Sequence, residues 1–147
     1  MSKNSFKVLR PGINTTFQDL GRDNLYHVGL PFSGAIDKRN FLIANSLITN
    51  KEDDAVLEFA YQGPLLEFSG SQTSIVITGN VNFKIIKKDT SEIKGECYRT
   101  YNLNDKDCLD IISTEKSVYG YLSVKGGFQI NKSVSYTHLR AHETHDD

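Results

Sequence analysis

Between Thr15 and Asn24 the chain gathers hydrogen-bonding side chains at a spacing that suits neither helix nor strand. Gln18, Asp19 and Arg22 fall within five residues, with Gly21 between the acid and the arginine. A glycine at that point lets the backbone bend so that Asp19 and Arg22 share one side of the turn. Arg22 offers a planar fork matched to a carboxylate or phosphate. The two residues can equally satisfy each other as an ion pair that staples the loop, and the sequence leaves both uses open. A second stretch, Pro31–Asp37, carries Gly34 and runs straight into a helix start. Backbone N–H groups and the helix dipole favour an anion there, although Asp37 as N-cap would fill that position itself. The third candidate is Glu58, which shares a strand face with Val56 and Ala60. A charge on such a face is costly unless paired, and a carboxylate so placed suits proton transfer as a general acid or base. The alternative is a solvated sheet face.

Other signatures are weaker or missing. His27 is a lone loop histidine. His138 and His142 have a spacing that binds metal on a helix, but "HETH" is not H-E-x-x-H, so no metal site is expected. The sequence contains neither a phosphate-binding G-x-x-x-x-G-K-[ST] loop nor a G-x-S-x-G nucleophile elbow. The single methionine, Met1, excludes a methionine-flanked biotinyl lysine. The chain is expected to carry no biotin, though it could still receive a group from a biotin arm.

The elements that must position these residues are mostly short strands. Alternation at Phe6 and Val8 is stopped by Arg10–Gly12. Ala55–Tyr61 alternates, Gln62–Pro64 breaks it, and Leu65–Phe68 follows. Ser74–Thr78, Val81–Ile85, Cys97–Tyr101, Cys108–Ile112 and Val118–Val124 complete the series, separated by polar turns. This spacing predicts a sandwich or barrel. One segment differs. Phe41, Ala44, Leu47 and Ile48 fall on one helical face, with Asp37 to cap the start and Asn50 to end it, which predicts a helix from Lys38 to about Thr49.

With 147 residues the chain holds one domain with a real core. A net charge of −1 gives no bulk attraction to nucleic acid or an anionic membrane. No apolar run reaches the length of a membrane span and the N-terminus lacks a signal-peptide core, so a cytoplasmic location is expected. Cys97 and Cys108 read as buried thiols rather than a disulfide.

The blocks "PGINTTFQDLGR", "GLPFSGAIDKRN", "IANSLITN", "LEFAYQGPLLEF" and "VKGGF" resemble, in order and spacing, the KipA family. Its members are the C subunits of bacterial 5-oxoprolinase, also called allophanate hydrolase subunit 2 or biotin-dependent carboxyltransferase family proteins. The resemblance runs from Lys7 to about Gln129. It implies a mainly β, cyclophilin-like barrel with one principal helix. It also implies work beside two partner proteins, one KipI-like and one LamB/YcsF-like, opening 5-oxoproline to L-glutamate with ATP supplied through the complex. Two alternatives come with the family: carboxyl transfer to urea in the allophanate pathway, and regulation by sequestering a KipI-like inhibitor.

Carried over residue by residue, the matching positions are Thr15, Thr16, Gln18, Asp19, Gly21, Arg22, Gly34, Ala35, Asp37, Asn45, Glu58, Gly63 and Pro64, with Ile36 where methionine is usual. Asp19, Arg22 and Glu58 are expected to carry the chemistry, and Gln18, Gly34, Asp37 and Asn45 to contact a small-molecule substrate. After "GGF" the chain departs from the family. Residues 1–132 read as the N-terminal part of the domain, truncated before its second half. Residues 133–147 look like translated adapter or vector sequence, a non-native tail. The chain alone is expected to be inactive.

Overall fold

The computed structural model describes residues 4–12, 15–18, 37–114, 119–129 and 138–141. Among them the chain is mainly β. Twelve strands run in order: β1 Ser5–Arg10, β2 Thr16–Gln18, β3 Val56–Ala60, β4 Leu65–Ser69, β5 Gln72–Thr78, β6 Val81–Ile86, β7 Glu92–Lys94, β8 Tyr101–Asn104, β9 Cys108–Thr114, β10 Tyr119–Val124, β11 Phe128–Gln129 and β12 His138–Ala141. The helix α1, Lys38–Leu47, lies between β2 and β3 in sequence. The strands form a seven-stranded sheet in the order β11-β12-β1-β4-β9-β6-β7 and a five-stranded sheet in the order β2-β3-β10-β5-β8. All pairings are antiparallel.

Two cores follow from the alternation of side chains along the strands. The larger lies between the sheets, where Phe6, Leu66, Phe68, Phe83, Ile85, Leu109 and Ile111 of the first meet Leu57, Phe59, Ile75, Ile77, Leu103, Leu122 and Val124 of the second. The smaller lies on the other face of the five-stranded sheet, where Phe41, Ala44 and Ile48 of α1 pack on Val56, Val76 and Tyr121. Strand β3 is therefore buried on both faces. Gly63, just beyond it, has no room for a side chain, because a Cβ there would run into Ile111.

The helix begins where its cap predicts. Asp37 accepts the Asn40 N–H at 3.1 Å and the Asn40 side-chain amide at 2.8 Å. It ends slightly earlier than expected, with Ile48 as C-cap. Thr49, at φ +58°, takes the left-handed position that glycine usually fills. Its N–H bonds Ser46 O at 3.1 Å, and the Asn50 N–H bonds Asn45 O at 2.8 Å. This is the paired closure of a Schellman motif. Leu47, expected on the buried face, is 41% exposed. It falls about 60° beyond Ala44 around the helix, at the rim of the contact.

Two expectations are corrected. Cys97–Tyr101 is not a strand, and β8 begins only at Tyr101. The preceding residues turn, with Tyr98 at φ +66° and its N–H bonded to Ile77 O at 2.8 Å. Cys97 and Tyr101 pack against the larger core from this turn, which mimics strand alternation. Tyr61 does not extend the face of Leu57 and Phe59 either. It leaves the strand at φ +65° and is largely exposed.

Strand β12 lies within the segment read above as a tail, and its backbone pairs with β1 on one side and β11 on the other. Both cysteines are free thiols, each half-buried. No helix among the described residues is long and apolar enough to cross a membrane.

Candidate functional site

The face of the five-stranded sheet beneath α1 buries Val56 and Val76 and carries a polar row across its middle strands. Thr16 on β2 stands opposite Glu58 on β3, Glu58 opposite Tyr121 on β10, and Tyr121 opposite Thr78 on β5. Register partners in neighbouring strands project to the same side, so these four residues form a polar stripe across four strands. Glu58 is 4% exposed, and Tyr121 and Thr78 are fully buried.

The N-terminus of α1 sits over this stripe and is tied to it by hydrogen bonds. The Asp37 N–H donates to Tyr121 Oη at 2.8 Å, and Tyr121 Oη donates to Glu58 Oε2 at 2.6 Å. Thr78 Oγ1 donates to Asn40 O at 2.9 Å. The direction of the first two bonds is forced. A backbone N–H can only donate, so the phenol oxygen accepts from it and its own hydrogen goes to the carboxylate. Burial, followed by the bond to Glu58, pushes the Tyr121 phenol well above its ordinary value. Tyr121 is thus held neutral, as a donor.

Above the helix start lies an open cleft of about 690 Å³, lined by Asp37, Asn40, Gly79, Asn80, Val81, Glu96, Cys97 and Tyr98. Tyr98 Oη donates to Asn40 Oδ1 at 2.6 Å and accepts the Gly79 N–H at 3.1 Å, which fixes the cleft wall. Among the described residues its lining has two carboxylates, Asp37 and Glu96, and no cation. Among the described residues no group of three or more His, Cys, Asp or Glu is placed to hold a metal ion.

The candidate residues are distributed unevenly over this geometry. Glu58 and Asp37 meet through Tyr121. The backbone of Gln18 pairs with Val56, two positions along β3 from Glu58. Asp19, Arg22 and Gly34 lie outside the described residues. Asn45 lies two turns along α1 from the cap, 1% exposed, and its side chain is engaged within the fold. Its amide donates to Asp54 O at 2.9 Å, and its Oδ1 accepts from Ser123 Oγ at 3.0 Å and Asn50 Nδ2 at 3.3 Å. Sequence reasoning missed Tyr121, Asn40 and Tyr98 as site residues. The strand-like run Val118–Val124 placed Tyr121 on a strand, but nothing local linked it to Glu58.

The fold and site define a class: a two-sheet antiparallel β domain whose single described helix is tied by its capped start to a buried carboxylate and phenol. Residues 28–141 match the family described as carboxyltransferase domain, subdomain A and B, and the chain belongs to that family. It is similar to a 5-oxoprolinase C subunit from Haemophilus influenzae, 30% identical over 128 residues that cover 86% of this chain and 40% of that protein. It is also similar to a urea amidolyase from Lachancea kluyveri, 29% identical over 132 residues, 86% of this chain and 7% of that one. The crystal structure of the K. lactis urea amidolyase superposes with a TM-score of 0.73 at 29% identity, covering 89% of this chain and 8% of that chain. The chain therefore spans less than half the length of each of these relatives. The two curated relatives are named for enzymes, one of them as a component of a larger assembly.

Proposed function

We propose that this chain is the first part of the C subunit of an ATP-dependent 5-oxoprolinase, acting with a KipI-like partner and a LamB/YcsF-like partner in the cytoplasm. In that reaction 5-oxoproline, ATP and water give L-glutamate, ADP and phosphate. The observation that carries the proposal is the Glu58 carboxylate, buried at 4% exposure and oriented by a phenol, within the region similar to a 5-oxoprolinase component. Ring opening breaks the amide C–N bond, and the departing nitrogen must gain a proton. Glu58 is the group assigned to move it, with Asp19 as the second acid/base. Arg22 binds the substrate carboxylate, and Gln18, Gly34 and Asp37 complete the contacts, while Asn45, engaged within the fold, holds α1 in place. ATP is supplied through the complex.

A second reading is favoured by the urea amidolyases: carboxyl transfer from a separate biotin carrier to urea. Here the urea nitrogen attacks the carboxyl carbon, the bond from that carbon to the biotin ring nitrogen breaks, and Glu58 takes the proton the urea nitrogen loses and returns it to the departing ring nitrogen.

The test uses a version of the chain extended through the family's second half. It is mixed in one arm with the KipI-like and LamB/YcsF-like partners, ATP and 5-oxoproline, and in the other with a carboxylated biotin carrier and urea. Glutamate release supports the first reading, and urea carboxylation without glutamate supports the second. Binding of the KipI-like protein with neither turnover overturns both and leaves a regulatory module. Arg22→Ala should abolish the activity found with little change in melting temperature. A collapse in stability would instead return Arg22 to stapling its loop.

A further inference from the structure

Glu58 and Asp37 approach the site from different elements, β3 and the cap of α1, and one side chain joins them. Tyr121 has no exposed surface and stands in register with Glu58, with its hydroxyl between Glu58 Oε2 at 2.6 Å and the Asp37 N–H at 2.8 Å. We propose that Tyr121 is a positioning residue: it aims the Glu58 carboxylate and locks it to the start of α1, so that the acid and the cleft wall keep one spacing. The inference rests on the reading that Glu58 moves the proton.

A phenylalanine at this position would fill the same space in the smaller core. The hydroxyl is therefore there for its two hydrogen bonds, and both run to candidate site residues. The bonds are also cooperative. A phenol that donates strongly to a carboxylate has a more electron-rich oxygen and accepts the Asp37 N–H more strongly. The state of Glu58 is thereby felt at the helix cap. Asp37 in turn lines the cleft beside Asn40, so the effect reaches the cleft wall. On the opposite side of β3, strand β2 presents Thr16, Phe17 and Gln18, none of which titrates. Among the described residues the ionisable groups that act on Tyr121 are Glu58 and Asp37, and Tyr119 packs against the same core.

Two measurements test the proposal. In the extended protein assembled with its partners, Tyr121→Phe should lower kcat by up to about 100-fold, the cost of a misaimed group, with little change in KM. A loss confined to KM, or no loss, would overturn it. The second readout needs no turnover: the Asp37 amide proton, followed by NMR. Glu58→Gln should move it upfield in the protein that has Tyr121 and leave it unmoved in the Tyr121→Phe background. If Tyr121→Phe does not fold, 3-fluorotyrosine placed at position 121 keeps the shape and weakens the oxygen as an acceptor. It should also move the Asp37 amide upfield. An Asp37 amide indifferent to both Glu58→Gln and the fluorinated phenol would overturn the proposal. If no amide substrate is turned over by the unaltered protein, the functional reading fails, and the Asp37 amide still decides whether the bridge exists.

Discussion

Asn45 Oδ1 accepts a hydrogen bond from Ser123 Oγ at 3.0 Å, joining α1 to β10 across 78 positions of sequence. Asn50 joins the same knot, donating to Ser123 Oγ at 3.1 Å and Val124 O at 2.8 Å. Removing the Asn45 amide would strand buried partners on three segments. Asn45→Ala is expected to cost about 2–3 kcal/mol, as a buried network loses its centre. Urea denaturation should show the loss as an earlier midpoint. Unchanged stability with weakened substrate binding would place Asn45 with the substrate instead.

Glu58→Gln keeps the size of the side chain and an oxygen that can accept from Tyr121. Stability should change little, while turnover by the assembled, extended protein should fall by about 10²–10⁴-fold, the usual worth of a general acid or base. Thermal melting and steady-state kinetics on the same preparation separate the two effects. A large drop in melting temperature with modest loss of rate would make Glu58 structural.

The phenol of Tyr121 is raised above its unfolded value, mainly by burial and next by its bond to Glu58. Folding therefore holds its proton more tightly than the unfolded chain does. The resulting stability is fully present below about pH 10 and is lost as pH climbs from there toward the folded value. Alkaline unfolding should begin above pH ~10, with Tyr121 ionising only as the fold is lost. Absorbance near 295 nm and circular dichroism should then change together for this residue, and Tyr121→Phe should flatten the alkaline slope. A Tyr121 that ionises in the intact fold would contradict this.

Strand β12 covers the edge that β1 would otherwise present. Deleting residues 133–147 leaves that edge with unpaired N–H and C=O groups, a template for another chain. The shortened protein should self-associate on size-exclusion chromatography, and a monomeric profile would count against this. We also propose that the chain is inactive alone. In the 5-oxoproline assay only the extended protein should release glutamate, and equal turnover by the short chain would refute the claim.

The sequence by itself determined what depends on neighbours along the chain. Alternation set most of the strands, and period and caps set α1, because strand faces and helix ends are fixed by residues a few positions apart. The same locality misled at Cys97–Tyr101, where a turn packs its residues inward as a strand would. Glu58 was legible as a carboxylate on an apolar face, but whether that face met water or protein was not. Only the tertiary structure decided it, by laying α1 across the sheet. The partner of Glu58 was beyond local reading as well. Tyr121 stands 63 residues away and comes opposite Glu58 through the register of β3 with β10. A shift of one residue in that register would turn the phenol to the other face of the sheet.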